Sequence, residues 1–322
     1  MEGSHSPPAR PAFCDLPLSK DGPQGNIWGL FGENDELGLL NYITPEITRQ
    51  ATKEIKSGIR IPLDLPLNHF ATPSMGRQPF KHEMLRFEQH LVNDEVVTMN
   101  TQSGTQWDGF RHFGYQDVQR YYNDCKHEEL ENSTRNGIHV WTKHGGIVSR
   151  GVLLDYGRWA ASQGIKKPFF ESSTITVFEL NQVAASQKVS LHAGDVLLVR
   201  SGYIVEHQAL SPEAQLGRHQ NPLPASIGLE SSEEMLEYLW DSGIVAVAGD
   251  MPTLEAWPMQ SKKFLLHEWL LAGWGCPIGE YFDLEKLSEQ CEKAGRWSFF
   301  FSSVPMNIPG GVASPANAIA IL

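Results

Sequence analysis

Two carboxamides, a carboxylate and an imidazole fall within the fifteen residues from Thr101 to Tyr115 (TQSGTQWDGFRHFGY): Gln102, Gln106, Asp108 and His112. A free imidazole titrates near neutrality, so His112 is a candidate proton shuttle. A carboxylate can orient such a ring, and amide NH₂ groups can donate to a developing oxyanion. If the first half of the stretch is a strand, residues 102, 104, 106 and 108 share a face. Gly104 and Gly109 then allow close backbone approach or a sharp turn, as the floor of a ligand site requires. A polar loop between two strands has the same composition. Trp107, Phe110, Phe113 and Tyr115, with Trp274 further on, are candidates for the walls of an aromatic-accepting pocket.

A second group lies near the C-terminus. Leu265-Leu-His267-Glu268-Trp269-Leu-Leu reads as a short amphipathic helix presenting His267, and Glu280 follows thirteen residues later. Glu268 is the rival acid, but it points about a third of a turn away from His267. Alone, such a pair also reads as a core histidine satisfied by a carboxylate. With Asp108 it makes a convergent cluster. Arg200, near the end of an apolar strand, is placed either to reach an anionic substrate or to pair with an internal carboxylate, and both readings stay open.

The Gln102–His112 stretch resembles the signature of the cyclase family, H-x-G-T-H-x-D-x-P-x-H, whose members include bacterial kynurenine formamidases and isatin hydrolases. Here it reads Gln102-Ser-Gly104-Thr105-Gln106-Trp-Asp108-Gly-Phe-Arg-His112. The Gly-Thr pair, the Asp and the last His match; both earlier histidines are glutamine, and the Pro is Phe110. Trp28-Gly29, Asp35-Glu36-Leu37-Gly38 and the run from Trp297 carry the resemblance from about Trp28 to Leu322. The Gln-for-His form is similar to fungal members, which implies a secondary metabolite as substrate.

The resemblance implies that His112 is the acid or base. In metal-using relatives the two earlier histidines and the Asp hold one divalent ion, and a helix His with a later Glu completes a second position. Those second-position residues are here Asp108, His267 and Glu280. A carboxamide replaces imidazole poorly on zinc or manganese, so the first position is expected to be lost. The second keeps a sufficient triad for one ion. The first expectation is therefore a metal-independent enzyme, with His112, Asp108, Gln102, Gln106 and Glu280 catalytic and no cofactor. It would perform ring closure, dehydration or lactone exchange at the carbonyl of a small molecule. The alternatives are an amide or lactone hydrolase similar to kynurenine formamidase, carrying one Zn²⁺ or Mn²⁺, and a small-molecule-binding protein without turnover.

Composition frames these readings. The 322 residues are 41% hydrophobic and 20% charged, with a net charge of −12 and a pI of about 5.5. That balance argues against a nucleic-acid partner, which needs a basic stripe, and no run of 18 apolar residues suggests a membrane span. The N-terminus lacks the apolar core of a secretory signal. Cys14, Cys125, Cys276 and Cys291 lie far apart, which fits reduced thiols and a cytoplasmic location. Residues 1–15 read as a disordered leader and 16–322 as a single domain.

The elements that must position the site follow from periodicity and caps. Thr44-Pro45 opens a helix through Ile47, Ala51 and Ile55 that Gly58 ends, and a strand follows from Ile59 to Leu67. Asn93-Asp94 reads as a hairpin turn, with Val96, Val97 and Met99 leading into the central stretch. The segment from Gln116 to Asn136 reads as a surface loop with a helical turn. Strands are expected within Gly146–Tyr156, Leu191–Gly202 and Ile244–Gly249, and helices over Ser173–Ser186, with a Thr176-x-x-Glu179 capping box, and over Ser231–Ser242. Two buried strands flank Pro309-Gly310-Gly311. Strands alternating with helices give an α/β class with mixed sheets. By resemblance the fold is the swivelling β/β/α domain, assembled as a homodimer or homotetramer.

Overall fold

Short apolar runs separated by caps and turns build the sheet that carries the site. In a computed structural model that describes residues 6–220 and 224–322, nine strands form one sheet: β1 (Arg60–Pro62), β2 (Gln106–Asp108), β3 (Ile147–Leu154), β4 (Val196–Val199), β5 (Ala246–Gly249), β6 (Ile278–Glu280), β7 (Ser298–Ser303), β8 (Ala313–Pro315) and β9 (Ala318–Ile321). Their spatial order is β1-β9-β7-β3-β4-β5-β6-β2-β8. The centre, β3 through β6, is parallel, and the flanking pairs are antiparallel. Every residue of β4 (VLLV) and β5 (AVAG) is buried. Parallel strands covered on both faces read as continuous apolar runs for this reason.

Local signals place the helices. The Thr44 hydroxyl accepts from the Ile47 amide at 3.3 Å and caps Pro45–Ala51. Thr176 and Glu179 close a reciprocal capping box at the start of Val177–Gln187. The amphipathic Ser231–Ser242 segment is helical over Glu233–Asp241, with Met235, Leu236, Leu239 and Trp240 facing the core. The segment after Gln116 holds the short helix His127–Asn132 and two two-residue strands. No described helix is long and apolar enough to cross a membrane, and the four cysteines are free thiols.

Several expectations are corrected. The strand after the first helix is only Arg60–Pro62, the residues that pair with β9. The hairpin near residue 90 turns over residues 88–91, and Asn93 and Asp94 lie inside its second strand opposite Arg86 and Leu85. The tail forms three strands, since Ser298–Ser303 precedes the Gly-Gly turn and β8 and β9 follow it. Of the expected disordered leader, residues 1–5 lie outside the described residues. From Arg10 the chain is pinned: its guanidinium donates to the Trp240 and Ile244 carbonyls at 3.0 and 2.8 Å and lies 4.9 Å from the Tyr42 and Trp240 rings. Arg200 pairs inward, with Asp155 at 2.9 Å and in a two-bond fork with Glu285 at 2.8 and 2.7 Å.

β2 is held on both sides. Gln106 lies opposite Glu280 of β6 and opposite Pro315 of β8. Gly279 makes the β5–β6–β2 contact close enough: a Cβ there would sit 2.5 Å from the Ala248 Cβ and 2.6 Å from the Phe282 ring. Phe282 in turn packs edge-on to Trp107 at 5.1 Å. Because the Ala248 Cβ is fixed by the backbone, Gly279→Ala must displace a strand. Overpacking of this kind costs roughly 1–3 kcal/mol, so a denaturant titration of Gly279→Ala should show a correspondingly lower midpoint with an unchanged slope.

Candidate active site

The pairing of β2 with β6 sets the site, because directly opposed residues share a face and Asp108, two residues from Gln106, lies on it too. The Gln106 amide donates to Glu280 Oε2 at 2.7 Å and to Gln102 Oε1 through a short bond, and the Gln102 amide donates to Asp108 Oδ1 at 2.6 Å. His267 enters from above, at the position before the π-helical segment Glu268–Trp274. Its Nδ1 meets Glu255 Oε2 at 2.8 Å, and Glu255 Oε1 accepts the His267 backbone amide at 3.3 Å. Its Nε2 lies 3.2 Å from Glu280 Oε1 and 3.6 Å from Asp108 Oδ2. The His112 ring centroid is 6.4 Å from that of His267, and a donor atom from each of Asp108, His112 and His267 falls within 4.8 Å of the others.

The environment separates these groups in acidity. Burial would lower the pKa of His267, but the charges of Glu255, Asp108 and Glu280 outweigh it and raise the pKa well above the ordinary value, so the ring is an imidazolium at neutral pH. Burial lowers His112, with Asp108 opposing only in part, which leaves a neutral imidazole. Burial would raise Asp108, but the charge His112 carries when protonated, with His267 and Gln102, holds it below the usual range. Burial and the neighbouring Asp108 push Glu280 up to about 7 against the pull of His267.

A cavity of about 170 Å³ opens onto His112, His267, Glu255 and Glu280. Its walls are largely apolar: Met75, Phe113, Pro252, Trp257 and Leu265, with Arg77 and Thr253 as further polar members. Of the five aromatics expected to line it, Phe113 does. Strand alternation turns Trp107 to the opposite face, where its indole donates to Ser303 at 2.9 Å. Phe110 packs between Tyr122 and Trp141, each at 5.1 Å. The Tyr115 hydroxyl and the Trp274 indole donate to the Gln24 and Gly25 carbonyls, behind the π-helical segment. The structure thus brings Gln102, Gln106, Asp108, His112, His267 and Glu280 together and moves four aromatics into the core.

Two residues at the cavity have no signal in the sequence. Glu255 follows a loop after β5 and has no spacing that ties it to His267. Arg77 follows a tight turn through Met75 and Gly76, both left-handed at φ 62° and 64°. Only the three-dimensional path brings either to the site.

The residues fit a divalent ion unequally at the two positions. At the first, both carboxamides turn their NH₂ groups toward the carboxylates and Gln102 Oε1 is taken by Gln106, which leaves Gln106 Oε1 as a lone neutral oxygen without a donor among the described residues, a poor substitute for two imidazoles. At the second, the 3.2 and 3.6 Å separations of His267 Nε2 from Glu280 and Asp108 match the edges of a tetrahedron with bonds of about 2.0–2.1 Å. Asp108 Oδ2, buried and without a hydrogen-bond donor among the described residues, points to the same place. Glu255 supplies the carboxylate that orients a ligating histidine. Asp108 and His267, with Glu280 or His112 as the third ligand, fit a divalent ion.

The family model described as "Putative cyclase" matches residues 59–256. A solved structure described as a novel cyclase is 29% identical, covers 92% of this chain and 99% of its own, and superposes with a TM-score of 0.82. Isatin hydrolase A from Labrenzia aggregata, bound to benzyl benzoate, shares the fold at 14% identity, with a TM-score of 0.57 over 85% of this chain and 96% of its own. An isatin hydrolase bound to the product analogue thioisatinate does so at 14% identity and a TM-score of 0.56, over 84% and 94%. No curated protein matches the sequence.

The Glu255 carboxylate is the largest charge favouring protonated His267. Glu255→Gln should therefore lower the His267 pKa, read from the ring proton shifts in a histidine NMR titration. Because the folded pKa is raised, the stabilisation from this protonation is full below the unfolded value of about 6.5. It disappears as pH rises through the folded value. The stability deficit of Glu255→Gln should accordingly be larger at pH 6 than at alkaline pH, and an unchanged His267 titration would remove Glu255 from this role.

Proposed function

The chain belongs to the cyclase family, and on that footing we propose that it is an enzyme performing acid–base chemistry at the carbonyl of a small molecule. The reactions that suit it are ring closure, dehydration or lactone exchange, with a secondary metabolite as substrate. The observation that carries this reading is the convergence of a neutral and a charged imidazole, His112 and His267, on one apolar cavity. Groups whose environments drive their acidities apart are suited to opposite roles.

In this reading His112 takes the proton from the attacking hydroxyl or water as it adds to the carbonyl, then returns it to the leaving oxygen or nitrogen. The positive charge of His267 offsets the negative charge that grows on the carbonyl oxygen, while its Nε2–H stays with Glu280 and Asp108. Gln102 and Gln106 do not serve as oxyanion donors, as the sequence suggests, because their amides are engaged with Asp108, Glu280 and each other. They act by holding those carboxylates. Asp108, beside both imidazoles, stabilises His112 when it becomes protonated, and Glu280 near pKa 7 supports proton exchange at His267.

A second reading has a specific observation behind it: the orphaned Asp108 Oδ2 and the fit of Asp108, His267 and Glu280 to one Zn²⁺ or Mn²⁺. An ion held there would polarise the carbonyl as a Lewis acid, the chemistry of an amide or lactone hydrolase. A homodimer or homotetramer is the assembly we propose for either reading, with the cytoplasm as its location.

Elemental analysis of protein purified without added metal separates the two. The first reading expects less than one divalent ion per chain and turnover of aryl lactones or esters that survives a strong chelator. Stoichiometric zinc or manganese with chelator-sensitive turnover establishes the second. Under either, His112→Ala should cut kcat by about 10²–10⁴-fold while KM changes far less, since the apolar walls supply most of the binding. His112→Gln should be nearly as impaired, because a carboxamide keeps a hydrogen bond but exchanges no proton near neutral pH. A Gln variant with most of its activity would reduce His112 to a hydrogen-bond donor.

A further inference from the structure

Charge at the cavity is compensated unevenly. Asp108, Glu255 and Glu280 all face His267, and two of them also accept from a carboxamide. Arg77 is different. Its Nη1 donates to the Gln102 carbonyl oxygen at 2.7 Å, which ties the guanidinium to the catalytic stretch. A guanidinium carries five N–H donors in a planar fork, and none of the ion pairs among the described residues uses this one. The left-handed pair Met75–Gly76 reverses the chain so that both Met75 and Arg77 reach the cavity. This cation, which makes no ion pair within 4 Å among the described residues although its charge is felt at Glu280, lies beside apolar surface from Phe113, Trp257 and Leu265.

We propose that Arg77 anchors a planar anionic group of the substrate, so that the cavity takes aromatic carboxylates in preference to their neutral counterparts. This rests on the reading of the cavity as the substrate site and adds the charge class of its ligand. A guanidinium matches a carboxylate through two parallel bonds, and partial burial strengthens them. The ring of an aryl acid has Phe113 and Trp257 to pack against. With the acid held at Arg77, the rest of the molecule is left to face His112 and His267. His267 offsets part of the charge of the site's own carboxylates, and Glu280, raised to about 7, is partly protonated at neutral pH.

Calorimetric titration of the full chain with benzoate and with benzamide tests this without any need for turnover. A hydrogen bond to a charged group contributes about 1.5–3 kcal/mol, so benzoate should bind at least about tenfold more tightly than benzamide. Arg77→Met should bring benzoate down to the benzamide level and leave benzamide unchanged, and Arg77→Lys should retain an intermediate preference. If Arg77→Met fails to fold, the lysine variant carries the same comparison. Equal binding of the two probes, no binding of benzoate, or a preference that survives in Arg77→Met overturns the proposal. A chain without turnover that still selects benzoate through Arg77 would overturn the catalytic reading alone. An active enzyme indifferent to Arg77 would overturn this one alone.

Discussion

One imidazole ring faces three buried carboxylates, and the geometry of the site depends on it. Taking a carboxylate out of water is expensive unless a partner or a donor meets it. His267 meets Glu255 through Nδ1 and both Asp108 and Glu280 through Nε2. These partners come from β2, from β6 and from the loop after β5, so the ring is the point at which separate parts of the sheet are tied together. It stands at the entry to a π-helical segment, a geometry that recurs at functional sites.

That arrangement presupposes the register of β2. Shifting the strand by one residue would carry Gln106 and Asp108 to the side now occupied by Trp107 and bring the indole to the cavity. Two antiparallel neighbours and the Trp107–Phe282–Phe301 contacts prevent this. The aromatic residue that looks like a pocket wall in the sequence is thus part of what keeps the polar face in place. Further along the parallel strands, Asp155 and Arg200 follow the ends of β3 and β4 and tie in Glu285 and Ser288, an ionic network that fixes the sheet and leaves the cavity to other groups.

What was legible in the sequence was what is local. The caps at Thr44 and Thr176 act within four residues, and the apolar runs of β3, β4 and β5 announce burial on both faces. The Gln102–His112 stretch is legible through its resemblance to the cyclase signature, since only Gln106 and Asp108 share a strand face and Gln102 and His112 come from the turns on either side. Glu255 and Arg77 were not legible, because the contacts that define them span 12 and 25 residues and leave no periodicity. The pocket aromatics were misplaced for a related reason: composition says that rings are near a site, whereas strand parity and turns decide which side they take. The Asn93-Asp94 turn was misplaced because a pair of turn-forming residues is tolerated inside a ribbon whose residues are all exposed.

The two glutamines follow from the same electrostatics. Histidine at 102 and 106 would offer a lone pair to a cation; glutamine in the observed orientation offers hydrogens to anions. The Gln102 amide satisfies Asp108 Oδ1, the Gln106 amide satisfies Glu280 Oε2, and the link between the two amides keeps both turned that way. A buried carboxylate deprived of its cation would normally take up a proton or expel its neighbour. Here neutral donors replace part of the lost positive charge, and the His267 imidazolium supplies more. The glutamines therefore let the acidic cluster stay buried through hydrogen bonds at the first position, while His267 neutralises it from the other side.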